Sequence, residues 1–210
     1  MGTRERKERE IETRRKLILA AAKDLFIKKS FAGVTLDDIA SAIEFSKGTI
    51  YNHFGSKEEI YAWILLEHLS ILLSYLKEAA KTGRDTSERL RNSAKAYIRF
   101  YRENREYFKL LFFIDMVGDR YRIPDALLKE ITVRKIACLL EVQNVVKEGL
   151  KAGEIAAGRR PTAQISLVLW GMINGIIQLV ESRQIKDGDL DRLIGTGFEI
   201  ILIGQKSKAA

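Results

Sequence analysis

The chain of 210 residues contains two prolines, Pro124 and Pro161, and almost no run in which apolar and polar side chains alternate over five or more positions. Proline interrupts a helix because it lacks an amide hydrogen and its ring collides with the preceding turn, so a chain with so few can form long helices at little cost. The scarcity of alternation removes the mark of half-buried strands. The sequence therefore predicts an all-α fold. Pro161 stands just before a new apolar run, the place where a helix best tolerates it.

Helical spacing and capping residues divide the chain. After a charged tail, Leu17, Ile18, Ala21, Ala22, Leu25 and Phe26 recur at helical intervals and give an amphipathic first helix ending near Lys29. Thr35 with Asp38 has the spacing of a capping box, which starts a short second helix ending near Ile43. Ser46 caps the next, and 47–54 form two turns before Gly55 is expected to supply a left-handed stop. Ser56 with Glu59 opens a fourth helix to about Lys81, and a fifth is expected from about Ser87 to Met116. Helical patterns resume after Pro124, stop at Gly153, and return over Pro161 to Ser182 and Asp189 to Gly204. No internal repeat, low-complexity tract or long linker interrupts this order.

Three short helices with a tight turn between the last two make a helix-turn-helix, the geometry that lays one helix in the DNA major groove, and Thr35 to Lys57 has that layout. A recognition helix needs hydrogen-bond donors at its N-terminal end and small residues where backbone approaches phosphate. Gly48 permits the approach. Lys47 can donate to guanine, Thr49 can touch a thymine methyl, and Asn52 can read adenine. His53 either contacts phosphate or base or packs inside the module. Tyr51 is either exposed or part of the small core, to which Ile39, Ala40, Ile50 and Phe54 belong.

The residues Thr35-x-x-x-Ile39-Ala40, then Ser46-Lys47-Gly48-Thr49-Ile50-Tyr51-Asn52-His53-Phe54, then Ser56-Lys57-Glu58-Glu59 resemble the TetR family of transcriptional regulators. Weaker echoes are Ala21-Ala22 with Leu25-Phe26, the Gly149 to Gly153 stop, and Trp170 with Asn174-Gly175. The resemblance implies a helix-turn-helix DNA-binding domain over 1–56 and a helical effector-binding and dimerisation domain over 57–210. It implies that Thr35, Tyr51 and Lys57 clamp the DNA backbone, with Ser46, Lys47, Gly48, Thr49, Asn52 and His53 completing the surface. The partners it implies are a double-stranded, near-palindromic operator, a small-molecule effector and a second copy of the chain. The chain departs from the family where Ser30 and Glu44 stand in place of glycines; at positive φ, Glu44 would cost about 1 kcal/mol relative to Gly.

Composition narrows the alternatives. The formal net charge is +8, but residues 1–60 carry 12 basic and 10 acidic side chains, so bulk charge does not locate a DNA site. A single cysteine, Cys138 among apolar neighbours, excludes an internal disulfide and reads as a small buried hydrophobe in a reducing cytoplasm. Residues 1–16 lack the apolar segment of a secretory signal, and the apolar run from Ile165 to Val180 is shorter than a bilayer needs, so no membrane is implied. No cofactor, metal set or enzyme is expected: His53 and His68 are the two histidines, and no glycine-rich phosphate loop or paired carboxylate stands out.

The body offers two candidate surfaces. Arg91, Lys95, Arg99, Arg102 and Lys109 fall on one side of the fifth helix, either a solvated face or an attraction for an acidic effector. Aromatic residues fall opposite, and Tyr97, Tyr101, Phe108 and Phe112, closed by Trp170 and Asn174, are the expected wall of an effector cavity. Apolar residues cover so much of the helix after Pro161 that one core cannot bury them all, so Trp170, Ile173, Ile176 and Ile177, with Phe198 and Ile201, are assigned to a dimer interface. Gly171 and Gly175 would permit close helix approach. The fourth helix is the expected lever from effector to DNA. A rival reading, a helical acyl-binding protein whose module no longer binds DNA, is disfavoured by Lys47, Tyr51 and Lys57.

Overall fold

The computed structural model describes residues 2–105, 108, 123–155 and 161–203, and among these there are helices and no strand. In chain order they are α1 (Thr3–Lys29), α2 (Leu36–Ala42), α3 (Lys47–Tyr51), α4 (Lys57–Ala80), α5 (Thr86–Glu103), α6 (Asp125–Lys151), α7 (Thr162–Glu181) and α8 (Leu190–Ile203), with a short 3-10 turn, Asp187–Asp189, leading into α8. The chain is all-α, as its lack of prolines and of alternating runs predicts.

Most expected boundaries hold because local hydrogen bonds enforce them. At the end of α6, Gly153 adopts φ +71 and the amide of Glu154 donates to the carbonyl of Gly149 at 3.0 Å, which satisfies carbonyls the helix leaves open. The same closure ends α2 and α7, where Glu44 and Arg183 take the left-handed position at φ 55 and 59. There the amide of Phe45 reaches the carbonyl of Ala40 at 2.9 Å, and that of Gln184 reaches Leu179 at 2.9 Å. Ser30, after α1, also has positive φ, at 62.

Three expectations are corrected. The charged tail is not separate from the first helix: α1 begins at Thr3, and 4–16 are good helix formers tied by i,i+4 pairs such as Arg14–Glu10 at 2.6 Å. Gly55 is not left-handed; its amide donates instead to the carboxylate of Glu59 at 2.8 Å, while the hydroxyl of Ser56 accepts from the amide of Glu59 at 3.0 Å. The fifth helix ends at Glu103, because Asn104 leaves helical geometry and turns its side-chain amide back to the carbonyl of Phe100 at 3.0 Å. The expected continuation to Met116 falls mainly outside the described residues.

The chain forms two compact units, one of residues 1–68 and 110–132, the other of 69–109 and 133–210. The first therefore extends past residue 56: Ile60, Tyr61, Ala62, Ile64 and Leu65 of α4 are buried, and the Tyr61 ring lies 4.8 Å from that of Phe31 and 5.8 Å from that of Phe26. In the second unit α7 packs on α8 and α5 on α8. Leu90, Ala94, Tyr97 and Tyr101 of α5 are buried while Arg91, Lys95, Arg99 and Arg102 are exposed, the two faces the sequence predicts. Cys138 is fully buried, its thiol pushed up to about 12 by that burial. Helices α4 and α7 are long and apolar enough to cross a membrane by composition. In α4 that apolar character serves a buried core.

The left-handed residues make a stability prediction. Replacing Glu44 or Arg183 by Gly removes a steric conflict between Cβ and carbonyl, and each change should stabilise the protein by about 1 kcal/mol, a rise of roughly 2–4 °C in melting temperature. Thermal unfolding followed by circular dichroism measures it. The reverse change at Gly149, to Ala, should destabilise, because a Cβ there would collide with the side chain of Thr86.

Candidate nucleic-acid interface

Helices α2 and α3 are built from the caps inward. The hydroxyl of Thr35 accepts from the amide of Asp38 at 3.1 Å, and the carboxylate of Asp38 accepts from the amide of Thr35 at 2.9 Å, completing the expected capping box. Hydrogen bonds from the Thr35 hydroxyl and amide, with help from Lys29, lower the Asp38 carboxyl to about 2. Ser46 accepts from the amide of Thr49 at 3.1 Å and starts α3. That helix has five residues, and it stays in place because Ile50 and Phe54 are buried at 0% and 1% exposure.

Burial of Ile50 and Phe54 turns Lys47, Gly48, Tyr51 and Asn52 outward as an exposed face; Thr49 and His53 are half-buried at its border. Tyr51 is 51% exposed, which places it on the surface and outside the core. Gly48 has no internal reason to be glycine, since a Cβ there would meet only the Ser46 hydroxyl at 3.8 Å. Its effect is to leave the surface flat at the start of the helix.

The charged groups are already engaged. Lys47 Nζ lies 2.8 Å from the carboxylate of Asp37, whose hydrogen bond and charge raise the lysine's pKa. Thr35 also donates its hydroxyl to Asp38, at 2.6 Å. Lys57 donates to the carbonyls of Phe31 at 3.0 Å and Val34 at 2.8 Å and sits 4.4 Å over the Phe31 ring, closing the loop before α2. Arg15 donates to the carbonyl of His53 at 2.9 Å. The imidazole of His53 is held below its usual pKa, first by burial and then by the like charges of Arg15 and Arg14. Sequence reasoning missed Arg15 and Asp37. For Arg15 a signal existed, because Arg15, Ile18, Ala22 and Phe26 continue one helical stripe.

In the second unit the aromatic residues expected around an effector do meet. Ring centroids of Tyr97 lie 5.0 Å from Trp170 and 5.6 Å from Phe108, and Tyr101 lies 5.1 Å from Phe108; Phe112 falls outside the described residues. Tyr97 donates to the side-chain carbonyl of Asn174 at 2.8 Å and Tyr101 to Glu181 at 2.6 Å. Burial and the Glu181 carboxylate push the Tyr101 phenol well above its usual pKa. Beside Tyr97 and Trp170, a cavity bounded also by Leu76, Leu90, Leu169 and Phe198 measures about 10 Å³, room for no more than a water molecule. Of the expected dimer residues, Ile173, Ile177 and Phe198 are buried within the single chain, while Trp170, Ile176 and Ile201 are half-buried. Among the described side chains, the large apolar ones left exposed on α7 and α8 are Leu167, Val168, Leu179 and Ile200, beside exposed Gly171 and Gly175.

The Lys47–Asp37 pair makes a further prediction. An exposed acid beside the outward face repels phosphate and competes for the lysine, so Asp37→Asn should tighten binding to duplex DNA by about three- to tenfold at low salt, an advantage that shrinks as salt rises. Fluorescence anisotropy with a labelled duplex measures it.

Comparison with known proteins follows the same geometry. The profile of "Bacterial regulatory proteins, tetR family" matches residues 18–63, the stretch that contains α2, α3 and the start of α4. The transcriptional activator FasR of Mycolicibacterium smegmatis is 32% identical over 108 residues, 51% of this chain and 49% of that protein, so the chain spans about half the length of this relative. The regulator TtgR of Pseudomonas putida is 29% identical over 212 residues, covering 94% of this chain and 95% of its own. The crystal structure of FadR from Bacillus subtilis, in complex with stearoyl-CoA, has the same fold, with a TM-score of 0.71 at 19% identity over 90% of this chain and 98% of that one. Residues 18–63 therefore carry the N-terminal module of the bacterial tetR-family regulators, and the helical fold of the chain is shared with solved members of that family.

Proposed function

We propose that this chain is a TetR-family regulator, a cytoplasmic homodimer that binds a near-palindromic operator through the exposed face of α3 and is released from it by a small, largely apolar effector. The observation that carries the reading is the outward placement of Lys47, Gly48, Tyr51 and Asn52 around a helix whose opposite side, Ile50 and Phe54, is buried. Lys47 and Asn52 read base edges, Thr49 contacts a thymine methyl, and Tyr51, Ser46 and His53 meet the backbone. Thr35 and Lys57 fix α2 and its preceding loop by their internal bonds; Lys57 keeps one ammonium hydrogen for a phosphate, whereas Thr35 has its single hydroxyl hydrogen on Asp38 and meets a phosphate only by exchanging that bond.

Dimerisation is supported by the exposed apolar strip Leu167, Val168, Leu179 and Ile200, which a second copy would cover, with Gly171 and Gly175 allowing close helix approach. The symmetry of such a dimer sets two α3 helices in successive major grooves, about 34–36 Å apart. The effector enters the aromatic cluster of Tyr97, Tyr101, Phe108 and Trp170 by displacing side chains, since the cavity beside Tyr97 and Trp170 is too small to receive it. Stearoyl-CoA bound to FadR is an example of an apolar chain held by this fold. Helix α4, which contributes residues 57–68 to the first unit and 69–80 to the second, is the element through which the two sites are coupled. A second reading, activation in place of repression, is favoured by the name of FasR, and a reporter gene placed behind the selected site distinguishes the two by the sign of its response.

Selection of duplexes from a random library tests the central reading. The chain should enrich one near-palindromic sequence, with affinity falling steeply as salt rises. Asn52→Ala or Lys47→Ala should relax preference at one position of each half-site by about 1–3 kcal/mol, whereas Tyr51→Ala should weaken all duplexes alike. No enriched sequence, with or without added cell extract, overturns it.

The effector arm has its own test, a thermal-shift screen of acyl and aromatic compounds against wild type and Tyr97→Ala. Binders should raise the melting temperature of the wild type and weaken its hold on the selected duplex by the factor by which DNA weakens theirs. Stabilising compounds that leave DNA affinity unchanged would contradict the coupling.

A further inference from the structure

We infer that Arg15 is the positioning residue of the recognition helix, gripping its carboxyl end between α1 and α4; the inference rests on the reading of α3 as the element that meets DNA. Helix α3 has five residues, and the chain that follows folds back on it: the amide of Asn52 donates to the carbonyl of Gly48 at 3.0 Å, and those of His53 and Phe54 donate to the carbonyl of Ile50 at 2.9 Å. The next carbonyl out, that of His53 two residues past the helix, accepts from Arg15 Nη1 at 2.9 Å. The positive guanidinium also complements the negative end of the helix dipole.

The side chain that makes this bond is itself held. Its guanidinium carbon lies 4.4 Å from the centre of the Phe54 ring and 5.0 Å from that of Trp63, so the same group stacks on the residue that ends the recognition segment and on α4. Phe54 is buried at 1% exposure, and the indole N–H of Trp63 is buried with no acceptor among the described residues, so the indole is held by ring contact and not by a hydrogen bond of its own. One planar cation thus joins α1, the end of α3 and the first turns of α4. A lysine could supply the charge and one donor, but not a flat face that stacks on two rings while still donating. Base reading tolerates errors of about 0.5 Å and 10–20° in a side chain's placement, which makes the attachment of so short a helix decisive for sequence preference.

Arg15 is half-buried and turned to its own module, so it acts on DNA through α3 and not by touching it. Its substitution should separate two quantities that loss of a phosphate contact would reduce together. The probes are the duplex selected by the wild-type chain and a scrambled duplex of equal length and composition, titrated at several salt concentrations under conditions where circular dichroism shows each variant fully helical. For Arg15→Met, the ratio of selected to scrambled affinity should fall about tenfold, while affinity for the scrambled duplex and the salt slope stay within about twofold of wild type. Arg15→Lys, which restores the charge, should not restore the ratio. A salt slope reduced by about one, with both affinities lowered, would make Arg15 a phosphate contact and overturn the inference, as would an unchanged ratio in Arg15→Met or full recovery in Arg15→Lys.

A readout without DNA keeps this independent of the parent reading. Arg15 is one of two like charges that depress the imidazole of His53, so in Arg15→Met the titration of His53 followed by NMR should move up in pH. An unmoved His53 would mean that the guanidinium does not sit at that helix end in solution. If the wild type selects no duplex at all but His53 moves as expected, the clamp stands and it is the DNA reading that has failed.

Discussion

A five-residue helix cannot hold itself together in water, because nucleation fixes several backbone angles for each hydrogen bond formed. Everything the N-terminal module does depends on how α3 is fastened from outside. Ser46 caps its start, Ile50 and Phe54 anchor it by burial, and Arg15 takes up the carbonyl of His53 just beyond its end. Fully burying an isoleucine or phenylalanine contributes about 1.5–3 kcal/mol, so the two apolar anchors outweigh any single cap. The caps set direction, and the burial sets the depth. What remains outside, Lys47, Gly48, Tyr51 and Asn52, is free of structural duty apart from the ion pair with Asp37.

The same economy appears around α2. Thr35 and Asp38 satisfy each other at its start, Lys57 closes the loop before it, and Glu44 accepts a strained backbone to close its end. Residues that resemble DNA contacts thus hold the module together as well. A change at Thr35 or Lys57 would therefore alter both the fold of the module and its surface, and loss of binding alone would not separate them.

Much of this was legible in the sequence because it is local. The capping box of Thr35 and Asp38, the cap at Ser46, the stop at Gly153 and the apolar surroundings of Cys138 follow from residue types a few positions apart. Glu44 was flagged by departure from a family glycine, and its backbone is left-handed as that departure implies. What stayed hidden depends on distant partners. Arg15 looked like part of a charged tail because its function lies 38 residues away, at His53. Ile173, Ile177 and Phe198 looked like interface residues because periodicity tells that a helix is apolar all round but not which side its own chain covers. Tyr97, Tyr101 and Phe108 group on one face as expected, yet grouping does not reveal that the rings pack against one another, or that the cavity beside Tyr97 and Trp170 is only about 10 Å³.

The claim on which the rest stands is that the outward face of α3 is where DNA is met. Hydrogen exchange of the full chain, free and bound to duplex, tests it most directly. Amides of 46–53 and of the start of α2 should gain protection on binding. Protection along the basic face of α5 at Arg91, Lys95 and Arg99, with 46–53 unchanged, would contradict it.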